Sequence, residues 1–94
     1  MTMIEHMSIS RLTALPGFRL ELEFHNGDIG IRDFADILAE TGPMLEPLRD
    51  QGFFEKAFLT YGVPTWPSGL QLDPTNLHME LAQQGRLNHA VAAE

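Results

Sequence analysis

Four histidines, at positions 6, 25, 78 and 89, are the first residues able to do chemistry in this 94-residue chain. None stands three or four residues from another, the helical spacing that would converge two imidazoles on one metal ion. His6 and His25 could approach each other only across neighbouring strands, on the face the strand pattern gives to solvent. Close carboxylates occur, as in Asp33 with Asp36 and Glu46 with Asp50. General acid–base work needs such a group held in a desolvated cleft, and the simpler role for Asp33 and Asp36 is at a helix start. The serines at 8, 10 and 68 lack a nucleophile-elbow context, and Gly27, Gly30 and Gly42 are too scattered to cradle a phosphate. Cysteine is absent, which removes disulfides, thiolate metal sites and cysteine nucleophiles. The expectation is a protein that is not an enzyme and takes no metal or cofactor. Metal or hydrolytic chemistry at His25 beside a carboxylate is the weakest of the alternatives.

Thirteen acidic side chains against six basic ones give a formal charge of −7. That excess repels nucleic acid and anionic lipid and favours cationic protein partners. No stretch approaches the roughly 18 consecutive apolar residues of a membrane span, and the first ten residues do not resemble an export signal. A cytoplasmic protein with neither direct nucleic-acid binding nor membrane attachment is expected. One domain over 1–94 fits the length. A domain this small buries only about two-thirds of its unfolded surface, which favours association, a homodimer foremost.

The one residue that invites a binding role is Trp66, within "TWPSGLQLDP". A large ring beside Pro67 and Gly69 is expected to plug a gap in a small core, with its N–H on a backbone carbonyl. Together with Tyr61 it could also anchor a partner, since both residue types are enriched at interfaces. Tyr61, Trp66, Pro67, Ser68 and Gln71 therefore form the candidate partner or ligand surface.

Positioning such a surface requires a scaffold, and "FRLELEFHNGDIGIRDF" supplies its clearest part. Phe18, Leu20, Leu22 and Phe24 alternate with polar residues, the period of a strand with one buried face. Asn26-Gly27 suits a two-residue type I′ hairpin. That register would set His25 against Asp28, Phe24 against Ile29, Leu22 against Ile31 and Glu21 against Arg32, pairing apolar with apolar and opposite charges with each other. Residues 3–12 read as a further strand with Met3, Met7 and Ile9 on one side, and the Leu-Pro-Gly turn at 15–17 completes a three-stranded meander.

A helix of about two turns is expected after Asp33, with Phe34, Ile37 and Leu38 on one face and Gly42-Pro43 as its stop. Another helical turn follows the Pro47 break, around Phe53, Phe54 and Ala57. "FLTYGV" reads as a strand, and Leu70 and Leu72 alternate as in a second short one. Asp73-Pro74 marks a helix start, Leu77 and Leu81 share its inner face, and Gly85 ends it. Residues 86–94 carry no strong pattern and are expected to fray, extend the helix or form a flexible tail. The fold class is α+β, an antiparallel meander with a hairpin at Asn26-Gly27, short helices on one face, a further short strand pair and a C-terminal helix.

Taken together, "LELEFHNGDIGIRDF", "GPMLEPLRDQGFFEKAF" and "TWPSGLQLDPTNLH" resemble domain of unknown function family 2442 over roughly residues 3–80. Phe24 and Gly27 match its first block, Leu48, Asp50 and Phe54 its second, and Trp66, Pro67, Gly69 and Pro74 its last. The resemblance implies a small bacterial or phage α+β domain, sometimes fused to a helix-turn-helix and not known as an enzyme. It also implies genes beside a second small protein in toxin–antitoxin-like arrangements, hence an antitoxin-like acidic partner of a small cationic protein. The alternative it implies is a ligand-sensing or dimerisation domain of a transcriptional regulator type, without its DNA-binding domain. Ser68 stands where the family prefers Asn and Gln71 where it prefers Asp, so this chain lacks a carboxylate in the Trp66 turn.

Overall fold

The computed structural model describes residues 7–39, 42–43 and 45–89; Met3 and His6, to which the sequence assigned roles, lie outside the described residues. Three strands form an antiparallel meander, β1 (Ile9–Leu15), β2 (Arg19–Phe24) and β3 (Asp28–Asp33), as the alternation in the sequence predicted. A single helical turn, α1 (Ala35–Leu38), leads through a 3-10 turn (Glu46–Arg49) to α2 (Gln51–Phe54). A separate hairpin of β4 (Phe58–Thr60) and β5 (Val63–Thr65) precedes the longest helix, α3 (Pro74–Gln83). A two-residue strand, β6 (Asn88–His89), then pairs with β3, giving a four-stranded sheet in the order β1-β2-β3-β6. The fold is α+β.

The register of the central hairpin differs from the expected one by a single residue. Glu23 faces Ile29, Leu22 faces Gly30, Glu21 faces Ile31 and Leu20 faces Arg32. The turn is a three-residue loop, His25-Asn26-Gly27, closed by the Gly27 N–H on the Phe24 carbonyl at 2.9 Å. Only Gly27 is left-handed there, with φ +94°. The Asn26 side chain accepts from the Asp28 N–H and donates to the Asp28 carboxylate, which satisfies the loop without a type I′ geometry.

Because side chains alternate with period two, that one step turns β3 over. Gly30 and Arg32 face inward and are buried, while Ile29 and Ile31 face outward, the latter 37% exposed. The expected pairings of Phe24 with Ile29, Leu22 with Ile31, and Glu21 with Arg32 do not form. Two tertiary demands explain the choice. Phe34 follows β3 directly and is fully buried, so the even-numbered residues before it share its side of the sheet. A side chain at position 30 would also collide with the layer beneath: a Cβ there would sit 2.9 Å from Leu81 Cδ1 and 3.2 Å from the Arg86 carbonyl. An isoleucine cannot occupy that inward site.

Smaller differences have equally local causes. The first strand spans 9–15 where 3–12 was expected, with a bulge between Ile9 and Arg11 where the strand bends toward the second hairpin and the Ile9 N–H reaches the Gly62 carbonyl. Phe18 belongs to a left-handed turn, φ +58°, and not to β2. The Gln51 side chain holds that turn by donating to the Leu15 carbonyl and accepting from the Phe18 N–H, and the Phe18 ring meets Phe54 edge-on at 5.6 Å. α1 is one turn long where two were expected, and Phe34, not Asp33, stands at its N-cap; the Asp33 side chain, one residue earlier, accepts from the Ala35 N–H at 2.9 Å.

The core lies between the inner sheet face and the helices, and comprises Ile9, Leu20, Leu22, Phe24, Phe34, Leu48, Phe54, Trp66, Leu77 and Leu81. α3 begins as its sequence requires, with the Asp73 side chain accepting from the Thr75 N–H and Pro74 at the first position. It ends at Gly85, φ +68°, where the Arg86 N–H returns to the Leu81 carbonyl. The chain is thereby turned back along β3, so the segment without a sequence pattern supplies β6.

Candidate functional site

Trp66 is part of the core. Its ring is 1% exposed, tilted against Phe54 at 6.0 Å and edge-on to Phe34 at 6.1 Å, and its indole N–H donates to the Phe54 carbonyl at 3.0 Å. The following turn is closed by the Gly69 N–H on the Trp66 carbonyl and the Trp66 N–H on the Leu70 carbonyl. Pro67, Ser68 and Gln71 stand exposed around it. Tyr61 is elsewhere, at the tip of the β4–β5 hairpin and 99% exposed. There Tyr61 and Gly62 both adopt positive φ, +50° and +79°, forming the two-residue type I′ turn that Asn26-Gly27 does not. The strand β5 separates Tyr61 from the Trp66 turn, so the five residues singled out from the sequence divide into a buried ring, an exposed turn around it and a distant exposed tip.

Two of the histidines, His25 and His78, make hydrogen bonds within the fold. His78 Nε2 meets Asp28 Oδ2 at 2.7 Å while Phe24 packs edge-on to its ring at 4.9 Å, and His25 Nδ1 accepts from the Ser8 N–H at 3.1 Å. Among the described residues no group of three His, Asp or Glu side chains is placed to share a metal ion. Among the described residues the most buried charge is Arg32, whose side chain is 6% exposed and donates to Glu80 at 3.1 Å, to Asp36 at 2.9 Å and to the Asp33 carbonyl. Burial opposes its charge, but the hydrogen bond and charge of Asp36 and the charge of Glu80 outweigh burial and raise its pKa. The hydrogen bond from Arg32 in turn holds Asp36 below the ordinary carboxylate range.

What remains on the surface is organised by the shifted register. The outer sheet face carries Arg11 and Thr13 from β1, Arg19, Glu21 and Glu23 from β2, Ile29, Ile31 and Asp33 from β3, and Asn88 from β6. Between Arg19, the outer side of β3 and the Arg86–Asn88 segment it opens into a groove of about 460 Å³. Its charges balance, three arginines (11, 19 and 86) against three carboxylates (Glu21, Glu23 and Asp33). The other described charges are seven carboxylates, at 28, 36, 46, 50, 55, 73 and 80, against Arg32, Arg49 and Lys56. All seven but Asp28 lie on helices or at their ends. The acidic excess of the described residues is therefore on the helical side, and the sheet face is neutral with two isoleucines at its centre.

Residues 9–82, from the first residue of β1 almost to the end of α3, match the family described as Protein of unknown function (DUF2442). The chain belongs to this family. The DUF2442 match covers the meander, both short helices, the second hairpin and the Trp66 turn, and ends before β6. No curated protein and no solved structure matches the chain. Among the described residues no helix is long and apolar enough to cross a membrane.

Proposed function

We propose that this member of a family of unknown function is a non-enzymatic protein-interaction module, an antitoxin-like acidic partner of a small cationic protein. The observation that carries this reading is the uneven charge. Seven carboxylates against three cations on the helical side and hairpin tip create a field that draws in a basic partner and speeds its docking. The fully exposed Tyr61, held on a two-residue turn, supports the reading as an aromatic side chain free to contact a partner. Lack of cysteine accords with a cytoplasmic setting.

Co-expression with the product of the adjacent gene, followed by gel filtration at low and high salt, tests the reading. A joint peak at low salt that separates as salt is raised is the expected result. Independent elution at low salt would remove the proposal.

The alternative, a ligand-sensing or dimerisation domain of a regulator type without its DNA-binding domain, draws its support from a different place. It rests on the outer sheet face with its groove, and not on the neighbourhood of Trp66.

A further inference from the structure

An antiparallel sheet that turns one face to water ordinarily shows polar residues there. Here the shifted register places Ile29 and Ile31 on that face and puts a glycine and an arginine inside. Nothing in the local pattern requires this, because the expected register would have hidden both isoleucines. The core gains Phe34 and the close approach of α3, and the apolar row is left on the outside.

We propose that this face is covered by a second copy of the chain, packed sheet face to sheet face. The charge distribution selects that occupant. A cationic protein gains no net attraction from a surface with three arginines and three carboxylates, whereas the helical side attracts it. Two copies meeting through their helical sides would oppose like charges. Meeting through their sheet faces they keep those acidic surfaces farthest apart, and the mixed corners let arginines of one copy meet Glu21, Glu23 and Asp33 of the other. Ile29 and Ile31 of both copies then form the dry centre, with the groove beside Arg19 and Arg86 receiving side chains from the opposite sheet. The inference stands independently of the cationic partner, which would bind the opposite side.

Sedimentation equilibrium of the full chain over a range of concentrations tests it, and a reversible monomer–dimer equilibrium is expected. Ile31→Glu should raise the dimer dissociation constant at least about tenfold while the far-ultraviolet circular dichroism is unchanged. Should that variant fold poorly, Glu21→Arg serves instead, since it puts two excess positive charges on each copy's face and must weaken the dimer in a salt-dependent way. Met79→Glu, at a 51% exposed position on α3, should leave the dimer intact. A wild-type chain that stays monomeric throughout the range overturns the proposal, and so does a dimer indifferent to both sheet-face variants. A monomeric chain whose complex with the adjacent gene's product is abolished by Ile31→Glu would assign the face to that protein instead.

Discussion

Arg32 stands opposite Leu20 in the central ladder and yet is nearly as buried, its guanidinium held at 3.1 Å by Glu80 of α3 and at 2.9 Å by Asp36 of α1. A cation at an inward strand position thus ties the sheet to two helices. The same guanidinium lies 5.4 Å from the centroid of the Phe34 ring, within reach of a cation–π interaction.

Removing that side chain should be felt throughout the domain. Arg32→Ala is expected to lower the unfolding free energy by about 2–3 kcal/mol, because charge-assisted bonds and packing are lost together. Arg32→Met keeps the packing and should lose less. Urea denaturation with an unchanged slope is the measurement, and an Ala variant within about 0.5 kcal/mol of wild type would contradict the role.

Asp36 makes a contribution to stability that acid removes. The hydrogen bond from Arg32 lowers its pKa in the folded chain, so its contribution is complete above the ordinary carboxylate value of about 4 and is lost as pH falls through the lowered value. Its carboxylate is 66% exposed, which keeps the contribution small. Denaturation midpoints measured stepwise below pH 5 should fall less steeply for Asp36→Asn than for wild type.

Gly30 permits the contact between sheet and helix. An added methyl would press on Leu81, Leu87 and the backbone carbonyl of Arg86, the last of which cannot rotate away. Gly30→Ala should destabilise by about 1–3 kcal/mol, read as a drop in melting temperature. Ala at the solvent-exposed Gly52, whose nearest side-chain atom would be 3.7 Å away, provides the contrast and should not destabilise.

Trp66→Ala empties the centre of an aromatic cluster and should cost about 3–5 kcal/mol, a large share of the stability of a domain this size. Trp66→Phe keeps a ring but leaves the Phe54 carbonyl without its indole donor, for a loss of about 1–3 kcal/mol. Thermal melts of both variants rank them, and Phe as harmful as Ala would mean that the hydrogen bond and not the ring dominates.

Tyr61 separates folding from binding. With φ +50° and full exposure it occupies a turn position that asparagine fills with less strain. Tyr61→Asn should therefore leave stability equal or raise it by up to about 1 kcal/mol, while weakening the complex with a cationic partner. A destabilised Asn variant would show that the phenol supports the fold.

By itself the sequence determined the elements whose causes are local. The alternation of Leu20, Leu22 and Phe24 gave β2 its buried face, Asp73-Pro74 began α3, and Gly85 ended it. Trp66 was legible as a core ring with a carbonyl partner, since a lone indole between turn residues has few other ways to be satisfied. The register of β3 was not legible, because cross-strand pairing favours the expected register, apolar on apolar, and what overrides it lies beneath the sheet. Phe34 needed the inner side and α3 needed a residue without a side chain at position 30, and both demands come from residues distant in sequence or beyond the strand. The same holds for β6, which exists because the Gly85 turn returns the chain along β3. Tertiary packing therefore decided which face of the sheet lies outward, and with it the isoleucines and balanced charges that this face carries.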